Sequence, residues 1–209
     1  MKTLQQILIS ANAFLDLEAS LPTGDELTLR TDFADRSIWD AAATAQLKEF
    51  KRVYETSVTR SSLASISLPS DWREFQNVPR IYNGGVWHEY TEIKPENKYD
   101  QGEADEYCYV LGTPGDYTAV INQPLDGTFS SVYQRFPSGF ATLTDKCELP
   151  DPTYVITKVE AYVLEGRGDE RFPQLIAQSE QKLVNMIGRG SKTPGGGVNT
   201  TPIPRNPLS

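Results

Sequence analysis

The apolar residues of this chain change their spacing twice, and that change limits the fold more than any single motif. From residue 4 they recur at three- and four-residue steps: Leu4, Ile7, Leu8, Ala11, Phe14 and Leu15. That is one stripe of an amphipathic helix. From about Ser61 the period becomes two, with Ala64, Ile66 and Leu68 alternating with serines, as in a half-buried strand. After Leu143 the helical period returns in Val155, Val159, Tyr162 and Val163. Blocks of helix, strand and helix, with no internal repeat, predict an α+β fold.

Punctuation residues set the expected boundaries. Thr3 and Gln6 have the spacing of a capping box. The segment LPTGDE breaks the first helix, and a second is expected from Asp35 to Glu55, with Trp39, Ala43, Leu47, Phe50 and Tyr54 on one face. Asn83-Gly84-Gly85 between RIY and VWHEYTEI signals a hairpin. Thr113-Pro114-Gly115-Asp116 separates EYCYVL from YTAVIN, and TFSSVYQRF follows a turn at Gly127. Together these predict a small antiparallel sheet of four to six strands, one face wet or against a partner. Asp151-Pro152 reads as an N-cap and first helical residue, and Gly166 as a stop. GRGDERFP then leads into Gln174–Ile187, with Ile176, Leu183 and Ile187 inward. The expected architecture is a helical bundle, made of N-terminal helices (1–60) and a C-terminal αα-hairpin (143–187). A β insertion (61–142) interrupts it, and an extended arm (188–209) follows.

Little in the chain points to catalysis. The single histidine, His88, sits inside an alternating strand, where packing or surface exposure is the expected role. No serine lies in a G-x-S-x-G elbow. DQGEADE, Asp100 to Glu106, lacks the alternating ligands and central glycine of a calcium loop and reads as a solvated loop. Cys108 and Cys147 share no metal spacing and read as reduced, small hydrophobes. No cofactor, metal or catalytic residue is expected. Arg167-Gly168-Asp169 reads as the turn of the helical hairpin. Asn199-Thr200-Thr201 and Gly195-Gly196-Gly197 carry no glycan or phosphate role, since the N-terminus MKTLQQILISANAF has no apolar leader core and the glycines open no helix. No apolar run reaches the roughly 18 residues of a membrane span.

Charge is divided unequally. The net charge is −8, and the last 22 residues carry three cations, Arg189, Lys192 and Arg205, and no acid. The remaining body therefore stands at −11, which argues against a body that grips nucleic acid. The arm also holds nine glycines and prolines, a composition that builds no core. Extended, it would span about 70 Å. Ordering it costs about 1–2 kcal/mol per residue, so contacts with other molecules are expected to hold it. Val198, Ile203 and Leu208 would be apolar anchors, and Arg189, Lys192 and Arg205 charged ones.

The order of these segments resembles the head-to-tail adaptor (connector) proteins of tailed bacteriophages, from about Leu4 to Met186. The residues that carry the likeness are a sheet opening near LPSDW, the stretch VYQRFPSGFATLTD, and the closing helices LPDPTYVITKVEAYVLEGRGDERFPQLIAQSEQKLVNM. In that family an aromatic strand ends at a proline, a Leu-Thr pair follows, and a Leu-Pro step enters a helical pair with acidic and arginine residues between its helices. Here those features fall on Tyr133, Phe136 and Pro137, then Leu143 and Thr144, then Leu149 and Pro150, and finally Asp169 to Arg171. The tryptophan usual near the end of the second helix is absent, Phe50 or Tyr54 standing in its place, and the segment from Lys94 to Glu106 is unusually acidic. The resemblance implies a virion structural protein of the neck, assembled in the host cytoplasm, not an enzyme. It implies a ring, of twelve copies, joining the portal to a tail or nozzle protein, with DNA passing through unbound. Alternatives are another neck ring, such as a head-completion or tail-terminator protein, or a small hydrolase or carbohydrate-binding module using Trp87, Tyr90, Tyr107 and Tyr109.

Overall fold

Apolar side chains gather in a core among helices, with a smaller cluster around Leu15, Leu164 and Leu175, and in a second core between two sheets. The computed structural model describes residues 1–15, 19–102 and 104–190. The expected arm residues Lys192, Val198, Ile203, Arg205 and Leu208 lie outside the described residues. So do the Asn199 sequon and the three glycines from Gly195.

The first helix, α1 (Leu4–Phe14), forms where its stripe predicts, and its cap is the expected box. Gln6 N–H donates to Thr3 Oγ1 (3.3 Å), and Thr3 N–H donates to Gln6 Oε1 (3.1 Å). The second helix is displaced from its expected place. It runs Gly24–Thr44 (α2), with Asp25 and Glu26 in its first turn complementing the helix dipole. The segment expected to break the chain therefore starts a helix. The buried face of α2 is Arg30, Ala34, Ser37, Ile38, Ala41 and Ala42. Such small and polar side chains make a weak apolar stripe, and Trp39, placed inward by the sequence reading, is 44% exposed.

Beyond Thr44 the helical reading fails. A 3-10 turn at Lys48–Phe50 buries Leu47 and Phe50, and the chain then enters strand β1 (Lys51–Val58). Tyr54 and Val58 suit both periods, but Val53, Thr56 and Val58 are β-branched and favour the strand.

Nine strands follow one another among the described residues: β1, β2 (Leu63–Ser67), β3 (Trp72–Phe75), β4 (Arg80–Asn83), β5 (Val86–Glu89), β6 (Thr91–Glu92), β7 (Tyr107–Thr113), β8 (Asp116–Asn122) and β9 (Gly127–Arg135). They form two sheets. One runs β1-β9-β4-β5 with β3 also on β9, and the other runs β2-β8-β7-β6, where β6 and β7 are parallel. Ile66, Trp72, Ile81, Cys108, Ile121, Phe129 and Tyr133 meet between the sheets. Both predicted hairpins form. Gly84 and Gly85 have φ of +57° and +92°, and Gly115 has φ of +91°, values that favour glycine in tight turns. Gly127 is required for another reason: a Cβ there would stand 2.1 Å from the Tyr82 carbonyl oxygen.

The closing hairpin joins α3 (Thr153–Gly166) to α4 (Phe172–Gly190). The N-cap is Pro152, one residue later than expected, and Asp151 just before it still supplies its Oδ1 to Thr153 N–H (3.0 Å) and Thr153 Oγ1 (2.6 Å). The stop is Gly168 rather than Gly166. Its φ is +66°, and Asp169 N–H reaches back to the Leu164 carbonyl while Gly168 N–H reaches Glu165 (both 3.0 Å), a Schellman closure. In α4 the buried residues are Leu175, Ser179, Leu183 and Met186. Ile187 lies outside that stripe, and the helix continues through Gly188 to Gly190 instead of yielding to an arm at Gly188.

The expected helical bundle with one small inserted sheet is therefore corrected. The fold is α+β, but the helices are few. α1, α2 and α4 each pack chiefly on α3, and α1 and α2 meet only briefly. The β part is a pair of sheets with a core of its own. Strand content was underestimated because residues 51–58 satisfy the helical and strand periods together.

The two cores are joined by arginines. Arg135 Nη2 donates to Glu148 Oε1 (2.7 Å) while its guanidinium lies over the Phe50 ring (5.3 Å). Glu148 Oε2 accepts from Ser138 N–H (3.0 Å), and Arg73 donates to the Ala42 carbonyl at the end of α2. Glu148→Ala takes the counter-charge from a buried guanidinium, which keeps only the Phe136 carbonyl and the Ser138 hydroxyl as acceptors. It is expected to lower unfolding free energy by about 3 kcal/mol, measured as a lower urea midpoint at unchanged slope. A loss below about 1 kcal/mol would assign the joint to other contacts.

Candidate protein-interaction site

The C-terminal half of α4 has more apolar residues than its buried stripe uses. Leu183 and Met186 face the core, while Val184 and Ile187 are 59% and 43% exposed. They stand at the rim of a groove of about 360 Å³. Its other walls are Asp40, Ala43 and Thr44 from the end of α2, Tyr154 and Lys158 from α3, and Glu180 from α4. The alanine and threonine that end α2 are too small to fill the space beside α4, so an apolar floor stays open.

The polar side of the groove is held in place. Tyr162 donates from its hydroxyl to Asp40 Oδ2 (2.7 Å), and burial, reinforced by that hydrogen bond, pushes its phenol up to about 12. Arg36 lies over the Tyr162 ring (4.9 Å) and Lys158 lies 5.7 Å from it. Asp40 is thus a fixed acceptor, and Glu180 is an exposed carboxylate on the opposite wall. The groove offers carboxylates around apolar side chains, with Lys158 as the one cation among the described residues that line it. Such a surface suits a segment that carries basic and branched apolar residues.

Beneath the groove, Lys182 Nζ reaches from α4 to the Thr153 carbonyl (3.3 Å) and to Thr157 Oγ1. On the same helix as those two threonines, Glu160 is 5% exposed, and burial pushes its carboxyl up to about 7, Lys182 offsetting part of the shift.

The other residues singled out in the sequence are scattered. His88 lies on β5 opposite Ile81. In DQGEADE, Asp105 Oδ2 accepts from Gly102 N–H (2.7 Å), so the loop closes on its own backbone. Among the described residues no group of three or more His, Cys, Asp or Glu is arranged to hold a metal ion. Both cysteines are free and buried, and burial pushes their thiols up, to about 12 for Cys108 and about 11 for Cys147. Arg167-Gly168-Asp169 is the hairpin turn, with Asp169 held by both Arg171 guanidinium contacts (3.0 and 2.9 Å) and brought down to about 2. The aromatics suggested as a carbohydrate platform do not share a surface. Tyr90 and Tyr109 are buried, and Trp87 is covered on one side by the Arg80 guanidinium (4.1 Å).

Of the expected arm contacts, only Arg189 lies in a described element, the last turn of α4. Asp40, Glu180 and Val184 were missed by the sequence reading. The signal for Val184 was present, since Ile176, Val184 and Ile187 form a second apolar ridge on α4. Nothing in sequence places Asp40 beside them.

No protein-family model matches this chain, and no curated protein matches it.

Folding raises the Glu160 carboxyl from an ordinary 4.5 to about 7. Its contribution is therefore complete below about pH 4.5 and lost as pH rises through about 7. Glu160→Gln is expected to gain stability relative to the natural chain as pH goes from 5.5 to 8. Urea midpoints of the two proteins that stay equally separated at both pH values would show that Glu160 does not titrate in this way.

Proposed function

We propose that this protein is a structural ring component of a tailed-phage neck, a head-to-tail adaptor placed between portal and tail. The observation that carries the reading is the apolar, carboxylate-flanked groove at the foot of α4, the helix from which the basic C-terminal segment departs. That segment supplies the complementary chemistry in Arg189, Lys192 and Arg205 with Val198, Ile203 and Leu208. A neighbouring copy or the portal is then the partner that the arm joins, and self-association, with twelve copies in the ring, follows from the resemblance. Further support comes from where the resembling residues sit. Phe136 and Pro137 follow the end of β9, Leu149 and Pro150 precede α3, and Asp169 to Arg171 form the α3–α4 link.

In this reading the body's −11 charge has a role. Carboxylates facing the lumen let DNA pass without adhering, because phosphate is repelled rather than neutralised. No specific DNA contact, cofactor or reaction belongs to the proposal.

The arm and groove are tested together with a synthetic peptide of residues 191–209 and a chain ending at Gly190. The peptide is expected to bind the shortened chain, more weakly as salt rises. Val184→Asp with Ile187→Asp should weaken it by about tenfold or more, the scale of losing one well-buried apolar contact. Binding that ignores both substitutions would remove the groove as the docking site. Negative-stain microscopy of the full chain with a candidate portal protein tests the ring. Rings of twelve are expected, and a channel wall rich in lysine and arginine would overturn the lumen assignment.

A further inference from the structure

The path β1-β9-β4-β5 ends in two open edges, β1 and β5, and the register identifies which backbone groups face outward. Val132 donates its N–H to Asn77 Oδ1 and accepts at its carbonyl from Gln76 N–H (both 2.7 Å). It therefore turns away from β1. Its register partner Val53 is in a non-hydrogen-bonded pair, so Val53 points its own N–H and C=O outward. By alternation Glu55 and Ser57 do the same, and Lys51 offers its carbonyl alone, because its N–H is given to the Lys48 carbonyl at the end of the 3-10 turn. At the other edge the two-residue Gly84-Gly85 loop closes on the Asn83–Val86 pair, which is hydrogen-bonded in such hairpins. Trp87 and Glu89 then present their backbone groups outward. Among the described residues no strand pairs with either edge.

The two edges are geometrically matched. Each neighbouring pair along the four-strand path β1-β9-β4-β5 is antiparallel, so β5 runs opposite to β1. A second copy brought up by rotation, without inversion, sets its β1 antiparallel to this β5. An even number of strands also puts the outward-bonding residues of both edges on one face of the sheet. Lys51, Val53, Trp87 and Glu89 all share the face of Ser130 and Tyr82. An odd number would turn the sheet over at each junction.

The side chains match in the same register. Opposing Val53 to Trp87 places Lys51 against Glu89 and Arg52 against His88. That gives an ion pair and an aliphatic–aromatic pair, the cross-strand combinations that stabilise sheets. Val53 is 65% and Trp87 41% exposed in the single chain. The Lys51 carbonyl already accepts from Arg52 Nη1 (2.8 Å), but a carbonyl has a second lone pair for a strand partner. Pairing β1 with itself would oppose Lys51 to Glu55, yet it would leave the β5 edge open and stop at a dimer.

We propose that copies of this chain associate head to tail by pairing the β5 edge of one with the β1 edge of the next, through Trp87 and Glu89 on Val53 and Lys51. The proposal rests on the ring reading above for closure of the series, since a heterologous contact closes into a ring or runs on as a filament.

The test uses full-length single variants Val53→Cys and Trp87→Cys, mixed in equal amounts and oxidised with copper–phenanthroline. Both native thiols are buried. Disulfide-linked peptides read by mass spectrometry should be mainly 53–87, and adding Val53→Pro to the Trp87→Cys partner should leave that yield unchanged, because its own β1 is not used. In a Val53→Cys chain, Arg52→Glu with Lys51→Glu should lower the yield several-fold, and Glu89→Lys in the Trp87→Cys chain should restore it. Products that are mainly 53–53, or no 53–87 product above that of a reference pair at exposed Leu29 and Tyr99, would overturn the edge pairing. Rings that form on a portal without 53–87 linkage would leave the ring reading standing and remove this contact. Linkage in a protein that never joins a portal would do the reverse.

Discussion

Strand β9 must be bonded along both of its edges for the β half of this protein to exist. On one side β1 accompanies it from Gly127 to Gln134, and on the other β4 and β3 take turns, at Thr128–Ser130 and Tyr133–Arg135. The gap between those two short strands is filled by the Asn77 side chain and the Gln76 N–H, both at Val132. The backbone of β9 is thereby satisfied although its sequence is not strongly apolar. Ser130, Gln134 and Arg135 are all buried, and burial of such groups is costly unless they find partners. Gln134 donates toward the Leu47 carbonyl (3.5 Å) and Ser130 toward Glu55 (3.2 Å), so the polar side chains of β9 tie the sheet to the chain that leads into it.

Helix α3 has the corresponding position in the other half. Ten of its residues are buried, from Tyr154 to Leu164, because three other helices surround it. The helical part is held together by that shared support and not by bundle-like contacts all round. Arg135 at the end of β9 and Glu148 just before α3 link the two central elements. The contact surfaces proposed above are places where packing stops, namely the unfilled groove beside α4 and the outer edges of β1 and β5.

Much of the local structure was legible in the sequence. Thr3 with Gln6, Gly84-Gly85 and Pro114-Gly115 each dictate backbone geometry within a few residues, so each formed where it was read, and the cap expected at Asp151 fell one residue later. The errors came where two local readings agreed with different periods. Residues 47–58 fit a helical stripe and an alternating strand, and only pairing with β9 selects the strand. The α2 helix was misplaced because its buried face is alanine, serine and a fully buried arginine. That arginine donates to Asn12 Oδ1 (2.6 Å) and to Glu26, partners that make its burial tolerable and that no periodicity announces.

By itself the sequence determined that helix and strand are both present, the caps and tight turns, and the division between an acidic body and a basic, glycine- and proline-rich end. These depend on composition and on interactions across a few residues. The tertiary structure alone decided the number of sheets, the register of β9, and the meeting of Asp40 with Val184 and Glu180. Those arrangements join residues far apart in the chain, and their free energy comes from shared burial and pairing that no short segment possesses.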